Sequence, residues 1–364
     1  MAIGTGNNNP LYSFDFEKET ARWNGFLNAV NGPKPKTEHT TRQSIWKKNK
    51  ATLWHYPAVE KKYEVPIFII YSLFNQATIL DLAPGSSMLE RSVNSGYDVY
   101  LLDWGIAGYE DKEINIEDYI EDYIKKGVRR ALRHSGAEEV TVLGYCLGGT
   151  IAAMYASIAE EPIKNLVVAA VPIDFSVAAM PETWAEGLKD GRLNLDRFID
   201  VNGIMSSENV EAMFRMTTSP VYYGPYVTLL SRSYDTRFVE KWRRMNTWTS
   251  GHVPLTGGAF RQLMKDLFQD NKLVKGEFTI HGKQVDLKNI HTNLLVVSSS
   301  NDKLIPEEQS LPLMDLVSSQ DKTYQLVESG HVSLAMSGKL NQILDNWLPE
   351  RSQEIGKANK KINK

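Results

Sequence analysis

The segment Val142-Leu143-Gly144-Tyr145-Cys146-Leu147-Gly148-Gly149-Thr150 sets the chain's single cysteine in a Gly-x-Cys-x-Gly pattern, where a β-rich run passes straight into a helix beginning near Gly149. This is the spacing of a nucleophile elbow, with cysteine in the place usually held by serine. A nucleophile in a strand-to-helix turn is strained, and flanking glycines remove the side chains that would collide as strand and helix converge. Such a turn lifts the sulfur above the sheet and leaves the Leu147 N–H free at a helix N-terminus. There the N–H can donate to an oxyanion while the helix dipole favours a thiolate. The plainer reading is a buried cysteine packed as a small apolar group beside a Gly-rich turn. The rest of the chain argues for chemistry. A nucleophile of this kind is followed by an acid after a late strand and a histidine after the last strand. Asp302 lies in Ser298-Ser299-Ser300-Asn301-Asp302 and His331 in Ser329-Gly330-His331, 331 − 302 = 29 residues apart, room for one helix and one strand. Asp315 and Asp321 are rivals for the acid, but they fall within or after the intervening helix. The other six histidines, His39, His55, His134, His252, His281 and His291, are read as structural. A second oxyanion donor belongs in the loop after the first core strand, which makes the Leu73 N–H in Tyr71-Ser72-Leu73 the candidate.

These residues need a sheet to hold them. Short β-rich runs, Val65–Tyr71, Asp98–Leu102, Glu139–Gly144, Asn165–Val171, Asn293–Ser298 and Thr323–Val327, alternate with stretches of helical period. That pattern predicts βαβ units and a mostly parallel α/β sheet covered on both faces. Ile116 to His134 has acids in its first turns, bases in its last, and an apolar stripe of Ile116, Ile120, Tyr123, Ile124, Val128 and Ala131. It predicts a surface helix packed on the sheet. After Val171 the next run of the series begins only at Asn293, too long a gap for one crossover, so residues 174–290 are expected to insert a cap over the sheet's C-terminal edge. Trp184, Phe198, Phe214, Tyr222, Tyr223, Tyr226, Trp242, Trp248 and Phe260 lie in it. They suit a small core of the cap's own, and beyond that an apolar channel or contact surface. Within the insert, Glu277–Leu287 alternates around His281-Gly282 and predicts a hairpin. The first 35 residues end in Gly32-Pro33-Lys34-Pro35 and are expected to be loosely tethered, and the basic C-terminal RSQEIGKANKKINK to be a solvated tail.

Composition narrows the partners. The 364 residues are 42% hydrophobic and 23% charged, with 41 Lys+Arg against 44 Asp+Glu. A net charge of −3 offers no concentrated basic surface for nucleic acid. No apolar run approaches the roughly 20 residues of a membrane span, and MAIGTGNNNP is unlike a secretory leader. The expected compartment is the cytoplasm. One cysteine permits neither an intramolecular disulfide nor a multi-cysteine metal site.

Gly144-Tyr145-Cys146-Leu147-Gly148-Gly149-Thr150 resembles the lipase-like box of polyhydroxyalkanoate synthases. So do Ile70-Tyr71-Ser72-Leu73, Ile79-Leu80-Asp81-Leu82 and Asp98-Val99-Tyr100-Leu101-Leu102-Asp103-Trp104-Gly105. In the insert, Phe260-Arg261-Gln262, Asn271-Lys272-Leu273-Val274-Lys275-Gly276 and Val285-Asp286-Leu287-Lys288-Asn289-Ile290 are similar too, so that the likeness spans roughly residues 40 to 350. Lys303 departs from it, standing where many members have histidine after the acid. The resemblance implies an α/β-hydrolase fold: an N-terminal extension (1–40), a core (41–173 and 291–350), an inserted cap (174–290) and a tail (351–364). It implies catalysis by Cys146, Asp302 and His331, with Leu147 and Leu73 as oxyanion donors. The implied substrate is a short-chain (R)-3-hydroxyacyl-coenzyme A, 3-hydroxybutyryl above all, and the products are polyester and free coenzyme A, with no further cofactor and no metal. The short N-terminal extension resembles the two-subunit classes III and IV, which implies a smaller second subunit, homodimerisation and a place at polyester granules in the cytoplasm. Asp302 either orients His331 or acts on the hydroxyl directly. The alternatives are a cysteine thioesterase or depolymerase of the same fold and, more remotely, a silent granule-binding protein.

Overall fold

Each of the six predicted β-rich runs holds one strand of a central sheet in the computed structural model, which describes residues 15–177, 194–218 and 224–356 with Glu186, Gly187, Asp190 and Arg192. In chain order the strands are β1 (Gln43–Lys48), β2 (Ala51–Tyr56), β3 (Ile67–Ile70), β4 (Val99–Asp103), β5 (Val140–Tyr145), β6 (Ile163–Ala169), β7 (Asn293–Ser299) and β8 (Lys322–Val327). They lie side by side as β1-β2-β4-β3-β5-β6-β7-β8. From β4 to β8 all pairings are parallel, while β2 runs antiparallel to β4 and β1 antiparallel to β2. The central strands read as unbroken apolar runs because both their faces are covered: every residue of β3 and β5 is buried.

The β1–β2 hairpin was not among the predicted strands. Its two-residue turn, Asn49-Lys50, places Asn49 at φ +50°, a conformation asparagine tolerates. An irregularity between Ser44 and Trp46 breaks the alternation by which a strand is recognised.

Helix α1 (Lys125–Ser135) follows a π-type stretch, Tyr119–Ile124, and a first turn, Ile116–Asp118, so the chain is helical throughout the predicted segment. Asn115 and Asp118 cap its start reciprocally, each side chain accepting the other's main-chain N–H. All six residues of the predicted stripe are buried. Helix α2 (Leu147–Ile158) leaves β5 directly and packs against it and β6.

Between β6 and β7 a two-residue ribbon pairs Ile204–Met205 with Leu255–Thr256. After it, Phe260, Leu263, Leu267, Phe278, Ile280, Val285, Leu287 and Ile290 are buried in the same cluster as the sheet. The predicted hairpin is present as Thr279–Ile280 paired with Lys283–Gln284 around His281 (φ +46°) and Gly282 (φ +78°). Phe198, Phe214, Trp248 and Phe260 belong to this larger unit, residues 36–218 and 248–364.

A smaller unit comprises residues 1–35 and 219–247. Its core is Ala29, Leu229, Val239 and Trp242, flanked by Phe26 and Phe238. The Trp242 indole donates to the Pro225 carbonyl at 2.9 Å. The N-terminal segment differs from the loose tether expected of it: Phe16–Asn31 is a helix capped by Asp15, and the Ser233 hydroxyl donates to its Arg22 carbonyl. Apolar residues such as Phe26 and Ala29, on one face of the helix, provide the contact. Trp184, Tyr222 and Tyr223, the N-terminal 14 residues and most of the C-terminal tail lie outside the described residues.

Candidate active site

Cys146 sits between β5 and α2 at φ +54°, ψ −132°, a conformation that costs a non-glycine residue about 1–3 kcal/mol. Its backbone is held from both sides, the Cys146 N–H donating to the Ala169 carbonyl at 3.0 Å and the Gly149 N–H to the Cys146 carbonyl at 2.8 Å. The flanking glycines permit the turn. A Cβ on Gly144 would lie 2.4 Å from the Gly149 Cα, and one on Gly148 would lie 2.3 Å from the Ile70 carbonyl oxygen and 2.7 Å from that of Tyr71. The helix therefore starts against the C-terminal end of β3, beside the loop that carries Leu73. Leu73 and Leu147 are both buried, and neither N–H donates to another described residue. The loop is braced by the Trp104 indole, which donates to the Tyr71 carbonyl at 3.0 Å. On its far side Val253 N–H donates to the Phe74 carbonyl and the Trp248 indole to that of Gln76. Phe74 meets Phe214 edge-on, and Phe214 stacks on His252.

Asp302 follows β7 and His331 follows β8, so both reach the sheet's C-terminal edge, where ligands bind in open α/β folds. His331 Nδ1 and Asp302 Oδ2 are 2.7 Å apart. The other carboxylate oxygen, Oδ1, accepts the N–H groups of Leu304 and Ile305 at 2.9 and 2.8 Å. The Asp302 side chain is wholly buried and that of His331 is 16% exposed. Since a carboxylate only accepts, Nδ1 carries the proton, and Nε2 is the ring nitrogen left to act on a nucleophile. Burial opposes charge on His331, yet the neighbouring Cys146 and then Asp302 favour it strongly enough to raise its pKa to about 10.

The rivals are elsewhere. Asp321 pairs with Arg351 at 2.8 Å and Asp315 is exposed. His55 stacks on Tyr100, His134 meets Tyr100 edge-on and hydrogen-bonds its hydroxyl, His281 turns the hairpin, and His39 contacts the Lys36 carbonyl. Lys303 is exposed, and the acid's hydrogen bonds come from the main chain beyond it, so histidine at that position is not needed to hold Asp302. One residue went unremarked in the sequence: Tyr145, whose hydroxyl donates to the His331 carbonyl. Its only sequence signal is its place beside the cysteine.

Known proteins bear on the site. The alpha/beta hydrolase fold family matches residues 66–335. The poly(3-hydroxyalkanoate) polymerase subunit PhaC of Haloferax mediterranei is 34% identical over 86% of this chain and 65% of that protein, so the chain spans just under two thirds of its length. The protein of the same name from a Synechocystis species is 30% identical over 89% of this chain and 88% of its own. Among solved structures, a monoacylglycerol lipase of Paleococcus ferrophilus is 16% identical over 82% of this chain and 99% of that one, with a TM-score of 0.47.

Proposed function

Because the chain belongs to the PhaC family of poly(3-hydroxyalkanoate) polymerase subunits, within the α/β hydrolase fold, we propose that it polymerises (R)-3-hydroxyacyl-coenzyme A, 3-hydroxybutyryl above all, into polyester. The observation that carries the mechanism is the Asp302–His331 pair set beside Cys146 at a strained elbow.

In the first half-reaction the Cys146 thiolate attacks the thioester carbonyl. The N–H groups of Leu147 and Leu73 hold the developing oxyanion, the C–S bond to coenzyme A breaks, and His331 protonates the departing thiolate. One thioester replaces another, so the acyl group stays activated, as it would not on serine. In the second, His331, oriented by Asp302, removes the proton of a 3-hydroxyl. The alkoxide oxygen attacks a thioester carbonyl, forming the ester bond and releasing that thiol. Water competes for the same carbonyl and must be excluded for the polymer to grow. The chemistry draws on side chains and main-chain N–H groups alone, the coenzyme A arriving with the substrate. A smaller second subunit, a homodimer and a place on cytoplasmic polyester granules complete the proposal. Among the described residues no helix is long and apolar enough to cross a membrane.

The test is purified protein with (R)-3-hydroxybutyryl-coenzyme A, with and without a candidate smaller subunit, following thiol release and the acyl product. Thiol release with insoluble polyester is expected. Thiol release with only free 3-hydroxybutyrate would make the chain a thioesterase and overturn the polymerase reading.

A further inference from the structure

Tyr145 closes β5 immediately before Cys146, and its side chain is buried, 1% exposed. Its hydroxyl donates to the main-chain oxygen of His331, 186 residues along the chain. Its ring meets the His331 imidazole edge to face, centroids 5.9 Å apart at 72°. Its ring also stacks on that of Tyr71, centroids 5.9 Å apart at 24°, in the loop that runs on to Leu73. One side chain therefore touches the histidine's backbone, the histidine's ring and the start of the oxyanion loop, and by covalent connection it is one residue from the sulfur. Burial first, then Tyr71 and Asp302, hold the phenol well above its ordinary pKa, so it stays a donor.

We propose that Tyr145 is a positioning residue: its hydroxyl ties the His331 main chain to the residue beside the nucleophile and so sets the distance from imidazole to sulfur. The inference rests on the Cys146–His331–Asp302 reading. Asp302 fixes how the ring is rotated, because it grips Nδ1. It does not fix how far the ring stands from Cys146, since Asp302 sits on a separate loop. Tyr145 does, because it belongs to the same strand end as the nucleophile. Removing the hydroxyl should leave the ring stack and substrate binding in place while letting His331 drift from the sulfur.

The experiment compares the wild type with Tyr145→Phe, His331→Gln and, as a buried-hydroxyl control away from the site, Tyr155→Phe, whose hydroxyl contacts Glu161. The readouts are the alkylation rate of Cys146 by iodoacetamide at pH 7 and the kcat and KM for coenzyme A release. For Tyr145→Phe we expect KM within about twofold of the wild type, with kcat and alkylation rate each lower by about tenfold or more, the scale set by a misplacement of about 1 Å. Tyr155→Phe should keep the wild-type alkylation rate. Unchanged kcat and alkylation in Tyr145→Phe, or an equal loss in Tyr155→Phe, overturns the tether alone. An alkylation rate in His331→Gln equal to the wild type's overturns the triad reading and the tether with it. If Tyr145→Phe does not fold, 3-fluorotyrosine at position 145, which keeps the ring and donates more strongly, replaces it. A change in kcat and alkylation at constant KM then supports the tether, and invariance of both overturns it.

Discussion

Asp302 grips His331 with one oxygen and the main chain with the other: Oδ2 lies 2.7 Å from Nδ1, while Oδ1 accepts from Leu304 and Ile305. The carboxylate is thus oriented before any substrate arrives, and the imidazole tautomer follows from it. An acid held this way contributes geometry as well as charge.

Asp302→Asn separates the two contributions. The Asn oxygen can keep the Leu304 and Ile305 bonds, so the fold should persist, but its NH2 then faces Nδ1 and favours the tautomer with the proton on Nε2, turned towards Cys146. Elongation should slow by about 10²–10⁴-fold, while a first burst of coenzyme A release survives in part. Rapid-quench measurement of coenzyme A against steady-state polymer yield checks this, and equal losses in both phases would count against separate roles.

Cys146→Ala should abolish coenzyme A release outright. Its stability, compared with Cys146→Gly, tests the elbow strain. At φ +54° alanine remains strained and glycine does not, so the glycine variant should be more stable by roughly 1 kcal/mol, against the usual order for the two residues. Urea unfolding midpoints of the two variants decide it, and a less stable glycine variant would mean the turn is unstrained.

Gly148→Ala should be among the most damaging single-methyl additions to the chain. The new Cβ would meet main-chain oxygens at 2.3 and 2.7 Å, which cannot swing aside as a side chain could. A loss of about 1–3 kcal/mol is expected, together with displaced Leu147 and Leu73 N–H groups. Thermal unfolding and kcat should fall together, and a variant with wild-type Tm would contradict the packing described.

His252 should make stability fall in mild acid. Its pKa lies below the ordinary 6.5 because burial disfavours the charged ring, Glu211 partly opposing this and Arg215 adding to it. A group with a depressed folded pKa binds its proton more readily when unfolded. The stability it protects is therefore present above about pH 6.5 and lost as pH falls below that value. His252→Phe keeps a ring against Phe214 and removes the titration. Between pH 7 and pH 5 the wild-type Tm should drop further than the variant's, and parallel curves would exclude the effect.

The parts of the fold that could be read from sequence are those where one physical signal dominates. β3, β5, β6 and β7 each carry successive buried apolar residues without alternation, because both faces of a parallel sheet are dry. The order Cys146, Asp302, His331 could be read because each follows a recognisable strand. β1 could not, since exposed or half-exposed residues and an irregular register erase its period of two. The helix Phe16–Asn31 was hidden for another reason: its buried Ala29 clusters with Leu229, Val239 and Trp242, far along the chain. The Tyr145–His331 bond is of the same kind, a contact between sequence-distant residues that no local pattern announces.

The hairpin missed in the sequence has a bearing on how copies of the protein tolerate one another. It makes β1 one outer strand of the sheet, with β8 the other. Exposed Lys47 stands on the first and exposed Lys322 opens the second. An outer strand offers unpaired main-chain groups to any neighbouring chain, and lysine there sets repulsion between like charges against that pairing. Under the function proposed above, copies gathered on the surface of an insoluble polyester would meet at high local concentration for as long as synthesis continues. Exposed lysines on both margins would then oppose fusion of the sheets of adjacent molecules.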